Sequence, residues 1–101
     1  GEPLEPGNQR ALLPFLRRVK ETYPEKNIWC YTGDLFDKEL LGDGRARCEA
    51  TDEFLGYIDV LVDGEFVQEK KNIALKFRGS ENQRVIDVKR SLKEGSVVWA
   101  I

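Results

Sequence analysis

Apolar residues recur at helical spacing near the start of the chain. From Asn8 to about Tyr23, Leu12, Leu16, Val19 and Tyr23 share one face, Leu13 and Phe15 widen it, and Arg17, Arg18, Lys20 and Glu21 lie outside. The spacing predicts an amphipathic helix with Asn8 as its N-cap. Pro14 lacks a backbone donor and is expected to kink the helix early or mark where its regular part begins, and Pro24 to end it. Asn27 to Thr32 is a short, nearly continuous apolar run stopped by Gly33, which predicts a strand buried on both faces. Asp34 is expected to cap a short helix from Leu35 to Leu41. Gly42-Asp43-Gly44 predicts a loop, and Arg45 to Tyr57 a weaker helix with Phe54 and Leu55 on one side. Ile58 to Asp63 predicts the second strand.

Two apolar strands separated by helical sequence form a βαβ crossover, right-handed in ~98% of cases, with both strand C-termini on one rim. Thr32-Gly33 and Asp63-Gly64 therefore face the same side, where open parallel sheets and barrels bind their ligands. Gly1 to Pro3 runs straight into the first helix and belongs on that rim too, at the end of a strand not included here. Beyond Gly64 the charged stretch Glu65 to Lys71 precedes a strand at Ile73 to Phe77 and a polar turn at Arg78 to Gln83. Arg84 to Val88 alternates like a strand, Lys89 to Glu94 makes a turn or helical turn, and Val97 to Ile101 an edge strand. The expected class is α/β, a βαβ core with additional C-terminal strands in a single domain.

Composition narrows the function. With 101 residues, 41% hydrophobic and 34% charged, one domain is expected, burying somewhat more than ~60% of its unfolded surface. A net charge of −2 with Lys and Arg dispersed leaves no basic stripe, which argues against nucleic acid. Apolar runs fall far short of the roughly 20 residues of a membrane helix and no signal pattern precedes Pro3, so a cytoplasmic protein without a membrane partner is expected. Cys30 and Cys48 form no C-x-x-C pair and read as two reduced thiols. The absence of histidine excludes the usual zinc sites and any Ser-His or Cys-His triad. Gly1, in a chain without methionine, reads as a cut end.

Several short motifs carry polar chemistry, each with a plain structural alternative. Asp63-Gly64 is equally a hairpin turn or a rim carboxylate, and Thr32-Gly33 equally a strand stop. Arg78-Gly79-Ser80-Glu81-Asn82-Gln83-Arg84 could cradle a carboxylate, a phosphate or a partner backbone, or could be a solvated turn, the reading short motifs favour. Glu2 is either a terminal charge or a ligand group. Their joint placement, not any one of them, points to a site.

Taken together, Gly1-Glu2-Pro3-Leu4, Trp29 to Gly33, Ile58 to Gly64 with Phe66, and Phe77 to Asp87 occur in the order typical of one family. The chain resembles the radical S-adenosylmethionine proteins that activate anaerobic ribonucleoside-triphosphate reductases, from Gly1 to Trp99. The resemblance implies a fragment of a partial (β/α) barrel. The parent's [4Fe-4S] cluster cleaves S-adenosylmethionine reductively, and the resulting radical takes a hydrogen atom from a glycine of the reductase large subunit. Its C-x-x-x-C-x-x-C cluster loop is absent from this chain, which would not be active alone. By the same resemblance Gly1, Glu2 and Pro3 match a Gly-Gly-Glu-type motif that holds the methionine ammonium, one glycine short. Thr32, Gly33 and Asp63 match positions lining the cofactor, and Arg78, Gly79, Ser80, Asn82 and Gln83 form a loop facing cofactor or reductase. Two further readings stand beside it: a binding or scaffold module docking, or self-associating, through an open sheet edge, and an activating enzyme for another glycyl-radical protein.

Overall fold

In a computed structural model the structure describes residues 2–101, so Gly1 lies outside the described residues. The architecture is mixed α/β. Helix α1 spans Pro6–Thr22, strand β1 Trp29–Tyr31, helix α2 Thr51–Tyr57, strand β2 Val60–Asp63, strand β3 Arg84–Asp87 and helix α3 Val88–Glu94. The sheet has the order β1-β2-β3, with β1 parallel to β2 and β3 antiparallel to it. The parallel pair is the expected βαβ unit.

Helix α1 begins earlier than Asn8. Pro6 sits in its first turn behind an extended Glu5, where a fixed φ is favourable and a missing N–H costs nothing. Asn8 lies inside the helix and donates through Nδ2 to the Glu2 carbonyl at 2.7 Å. The helix runs through Pro14 without a break, its inner residues Leu13 and Leu16 anchored in the core.

Alternation along the strands separates two faces. Cys30, Leu61 and Ile86 enter the main core with Leu13 and Leu16 of α1, Phe54 and Leu55 of α2, and Ile58. Trp29 and Tyr31 point the other way and are 40% and 52% exposed, so β1 is not buried on both faces as its apolar run suggests. That second face is partly covered by the excursion from Gly64 to Gln83: Trp29 lies against Phe77 at 4.9 Å, and Tyr31 Oη donates to the Phe77 carbonyl at 2.8 Å.

Between β1 and α2 the expected helix is a single π-helical turn, Phe36–Leu40, that buries Phe36 and Leu40 completely; each such side chain contributes roughly 1.5–3 kcal/mol. The helix expected from Arg45 is confined to Thr51–Tyr57. Residues before it are diverted by side chains, Gln9 Nε2 holding the Ala46 carbonyl at 2.8 Å and Thr51 Oγ1 accepting from Cys48 N at 2.9 Å.

Ile73 to Phe77 is not a strand. Asn72 Oδ1 accepts from Ala74 N at 3.0 Å and the Asn72 carbonyl from Leu75 N at 3.2 Å, a side-chain-directed turn; Phe77 then adopts φ 67°, outside the extended range. Asp87 ends β3 by capping α3, accepting from Arg90 N at 3.0 Å. The expected C-terminal edge strand is reduced to one antiparallel bridge, Ile86 to Trp99, flanked by bonds from Asp87 N to Val98 O and Ala100 N to Val85 O, each 2.8 Å.

Candidate functional site: a carboxylate at the C-terminal rim of the sheet

The C-terminal ends of β1 and β2 lie side by side, with Thr32 N donating to Val62 O at 3.0 Å. Glu2, just ahead of α1, is drawn to the same rim. Its Oε2 accepts from Thr32 Oγ1 at 2.7 Å and Leu4 N at 2.8 Å, and its Oε1 from Gly33 N at 2.7 Å. Thr32 Oγ1 also accepts from Asp34 N at 3.1 Å, so one hydroxyl links the corner of the chain to the carboxylate. A Cβ on Gly33 would stand 3.5 Å from Glu2 Oε1, ordinary contact, so the glycine is not forced sterically here.

An open cleft of about 330 Å³ begins at this carboxylate and is lined by Glu2, Pro3, Thr32 and Gly33 on one side and by Gly64, Phe66 and Gln83 on the other, at the small end of ligand sites. A larger groove of about 600 Å³ follows Pro14, Phe15 and Tyr23 on the outside of α1, but no carboxylate lines it. A groove of about 440 Å³ between α1 and α2 is lined by Glu49 and Glu53, but these are paired with Arg10 and Arg17. The rim cleft is therefore the candidate site. Glu2 makes no ion pair among the described residues; the nearby Arg45 is committed to Glu39 and, at 3.8 Å, to Asp34. A carboxylate held by three donors and without a cation among the described residues has a donor set that suits an ammonium group. Oε1, with one bond made, keeps acceptor capacity.

The other expected residues take different places. Asp63 is completely buried at the end of β2. Its Oδ1 accepts from Arg84 Nε at 3.0 Å, and its Oδ2 from Arg84 Nη2 at 2.5 Å and Phe36 N at 2.8 Å. Arg84 Nη2 reaches on to Asp37 Oδ1 at 2.8 Å. The Asp63 hydrogen bond is the main reason the Arg84 guanidinium is held above its ordinary pKa, and Arg84 in turn holds the Asp37 carboxyl below its own. Gly64 turns the chain at φ 96°, as the Asp-Gly pair suggests.

In the 78–83 loop the polar groups are largely spent on one another. Gln83 Oε1 accepts from Gly79 N and Ser80 N at 2.9 and 3.2 Å, while its Nε2 donates to Gly64 O at 3.0 Å. Arg78 Nη1 donates to the carbonyls of Glu81 and Gln83, and its guanidinium lies 5.4 Å from the Trp99 ring centre. Ser80 is buried and accepts from Val67 N at 3.2 Å; Asn82 Nδ2 reaches Glu65 O at 2.7 Å. Only Gln83 of this loop lines the cleft. Tyr31, Glu65 and Phe66 line it as well; the residue pattern does not assign them there, and only their position directly beside the strand ends could have suggested it.

A mixed α/β domain with a carboxylate at its strand rim is a broad class, and comparison with known proteins narrows it. A family described as "4Fe-4S single cluster domain" matches residues 1–86, and the chain belongs to that family. Its curated relatives are named anaerobic ribonucleoside-triphosphate reductase-activating proteins. That of Haemophilus influenzae is 48% identical over 83 residues, covering 82% of this chain and 48% of the relative. That of Escherichia coli K12 is 41% identical over 85 residues, 84% of this chain and 50% of the relative; that of enterobacteria phage T4 is 37% identical over 89 residues, 84% and 47%. The chain thus spans about half the length of the curated relatives it matches. No solved structure matches it.

The family's cluster does not fit the residues present. Such a cluster is held by cysteine thiolates, and this chain has two cysteines and no histidine. Among the described residues no three His, Cys, Asp or Glu side chains are grouped to hold a metal ion. Cys30 is buried on the core face of β1, and burial first, then the Glu2 charge, pushes its thiol up to about 12. Among the described residues no helix is long and apolar enough to cross a membrane.

Proposed function

We propose that this chain is the part of an anaerobic ribonucleoside-triphosphate reductase-activating protein that receives S-adenosylmethionine. The observation that carries the reading is the Glu2 carboxylate, oriented by Leu4 N, Thr32 Oγ1 and Gly33 N and without a cationic partner among the described residues. The methionine ammonium fills that role. Glu2 accepts from it, Pro3 and Gly33 border it, and Thr32 fixes the angle of the carboxylate. Reductive cleavage of S-adenosylmethionine, hydrogen-atom abstraction from a glycine of the reductase large subunit and a partial (β/α) barrel in the whole protein rest on the motif order from Gly1 to Trp99. The cluster's thiolates lie outside this chain's residues, so this chain's share is binding and orientation, without turnover of its own.

Titration calorimetry with S-adenosylmethionine tests the reading. Glu2→Gln keeps the shape but removes the charge, and a charged hydrogen bond contributes about 1.5–3 kcal/mol, so affinity should fall by roughly 10- to 100-fold. Equal binding by both proteins, or none by either, overturns it.

A further inference from the structure

We propose that Arg84, acting through Asp63, is the positioning residue of the cleft: it fixes the Thr32–Gly33 corner that aims the Glu2 carboxylate. The proposal deepens the reading of Glu2 as an ammonium site and rests on it for the identity of the ligand.

The corner from Thr32 to Phe36 has three attachments to the end of β2. Thr32 N bonds Val62 O, Asp34 O accepts from Gly64 N at 3.1 Å, and Phe36 N bonds the Asp63 carboxylate at 2.8 Å. The last is the one made by a side chain, and it depends on charge. A completely buried carboxylate is costly unless paired; Asp63 is neutralised by the fork of Arg84, its register partner across the antiparallel β2–β3 pair. The same guanidinium grips Asp37 in the π-turn. One cation on β3 thus holds the second side chain of the π-turn, Asp37, directly and its first amide, Phe36 N, through the Asp63 carboxylate.

This brace is separable from the fold. Phe36 and Leu40 are fully buried in the main core and keep the turn in place by packing. Arg84 and Asp63 set the angle at which the turn leaves β1. Through Asp34 N on Thr32 Oγ1 and Gly33 N on Glu2 Oε1, that angle reaches the carboxylate. The lysine at the position would keep the charge but not the two parallel donors.

Proton–nitrogen correlation NMR of the full chain, with S-adenosylmethionine as the probe, tests this. The Gly33 amide proton, bonded to a carboxylate, should resonate downfield, and Glu2→Gln should move it upfield and so calibrate the signal. Arg84→Lys is expected to move Gly33 at least partway to that position and to weaken S-adenosylmethionine binding about tenfold, the expected loss of one charged contact's geometry. The amides of Leu16 and Leu55 should not move. Asp37→Asn should shift Gly33 in the same direction by less. A Gly33 resonance unchanged in Arg84→Lys overturns the proposal; should that variant fail to fold, an unchanged Gly33 in Asp37→Asn overturns it instead. If Gly33 responds while the unaltered chain binds no S-adenosylmethionine, the brace stands and the ammonium reading falls.

Discussion

Asp34 sits between the cleft and the π-turn with its side chain 16% exposed, beside Glu39, Glu2 and Arg45. Burial, then the hydrogen bond with Glu39 and the Glu2 charge, raise its carboxyl to about 6, with Arg45 opposing. A carboxyl raised on folding binds its proton more tightly in the native state. Its stabilising contribution is complete below the unfolded value of ~3.9 and is lost as pH rises through about 6. Asp34→Asn removes that loss, so its thermal midpoint should gain on the parent's between roughly pH 4 and pH 7. A difference between the two that stays constant with pH would refute the assignment. Asp37, lowered by Arg84, works in the opposite direction, losing its contribution as pH falls, but it does so in both proteins. Gly44 offers a steric test at the same scale: a Cβ there would overlap the Glu39 carbonyl and the Leu40 amide. Gly44→Ala should lower stability in urea by about 1–3 kcal/mol through forced backbone shifts. In the candidate site, the rim position of Thr32 and Gly33 was legible because strand ends in a βαβ unit share a rim, and that of Glu2 because the chain runs from it straight into α1. The burial of Asp63 was not, since its partner Arg84 belongs to a different strand and register depends on tertiary pairing.

At the scale of elements, sequence periodicity found α1, the parallel pair β1 and β2, and β3, each of which has one face in the main core. It failed where side chains compete with the backbone for hydrogen bonds. Asn72 converts the apolar Ile73 to Phe77 into a turn, Thr51 delays α2, and Glu5 with Pro6 starts α1 ahead of Asn8. Gln9 shows how much such a group can carry. Fully buried in α1, it donates to the carbonyls of Leu4 and Ala46 and accepts from Thr51 Oγ1 at 2.6 Å, joining α1, the loop after the π-turn and α2. Gln9→Ala strands the carbonyls of Leu4 and Ala46, while Thr51 Oγ1 keeps its bond from Cys48 N; at about 1–3 kcal/mol for each buried polar group left unpaired, the loss should be at least about 2 kcal/mol in urea unfolding. Arg17 and Glu53 also join α1 to α2, with two bonds at 2.6 and 2.8 Å, but they are exposed, and Arg17→Ala should shift the midpoint little by comparison. The opposite ranking would mean that the two helices are held by surface charge.

The molecule as a whole is covered unevenly. Helices α1 and α2 close one face of the sheet, whereas the other is screened only in part by the 64–83 excursion, leaving Trp29, Tyr31, Phe66, Phe77 and Trp99 between 40% and 54% exposed. No described residue pairs with the outer edge of β1, and an apolar groove of about 270 Å³ lined by Leu12, Phe15, Trp29 and Tyr31 runs beside it. An unpaired strand edge flanked by apolar surface is a template for another strand. The net charge of −2 supplies little repulsion against that. The chain should therefore associate with itself through β1 as its concentration rises, seen as increasing sedimentation velocity. Trp29 is the residue to change, because its side chain contributes to the edge and its described ring contact is with Phe77 alone, outside the main core. Trp29→Lys places a charge on the edge and should abolish the concentration dependence while lowering the stability measured in urea by no more than about 1.5 kcal/mol, the loss of the ring pair with Phe77. Loss of association together with a large drop in stability would place Trp29 in the fold rather than at the edge. A parent chain that stays monomeric throughout would show that the cover from Gly64 to Gln83 is enough to protect β1, and would remove the support that the open edge lends to a docking module.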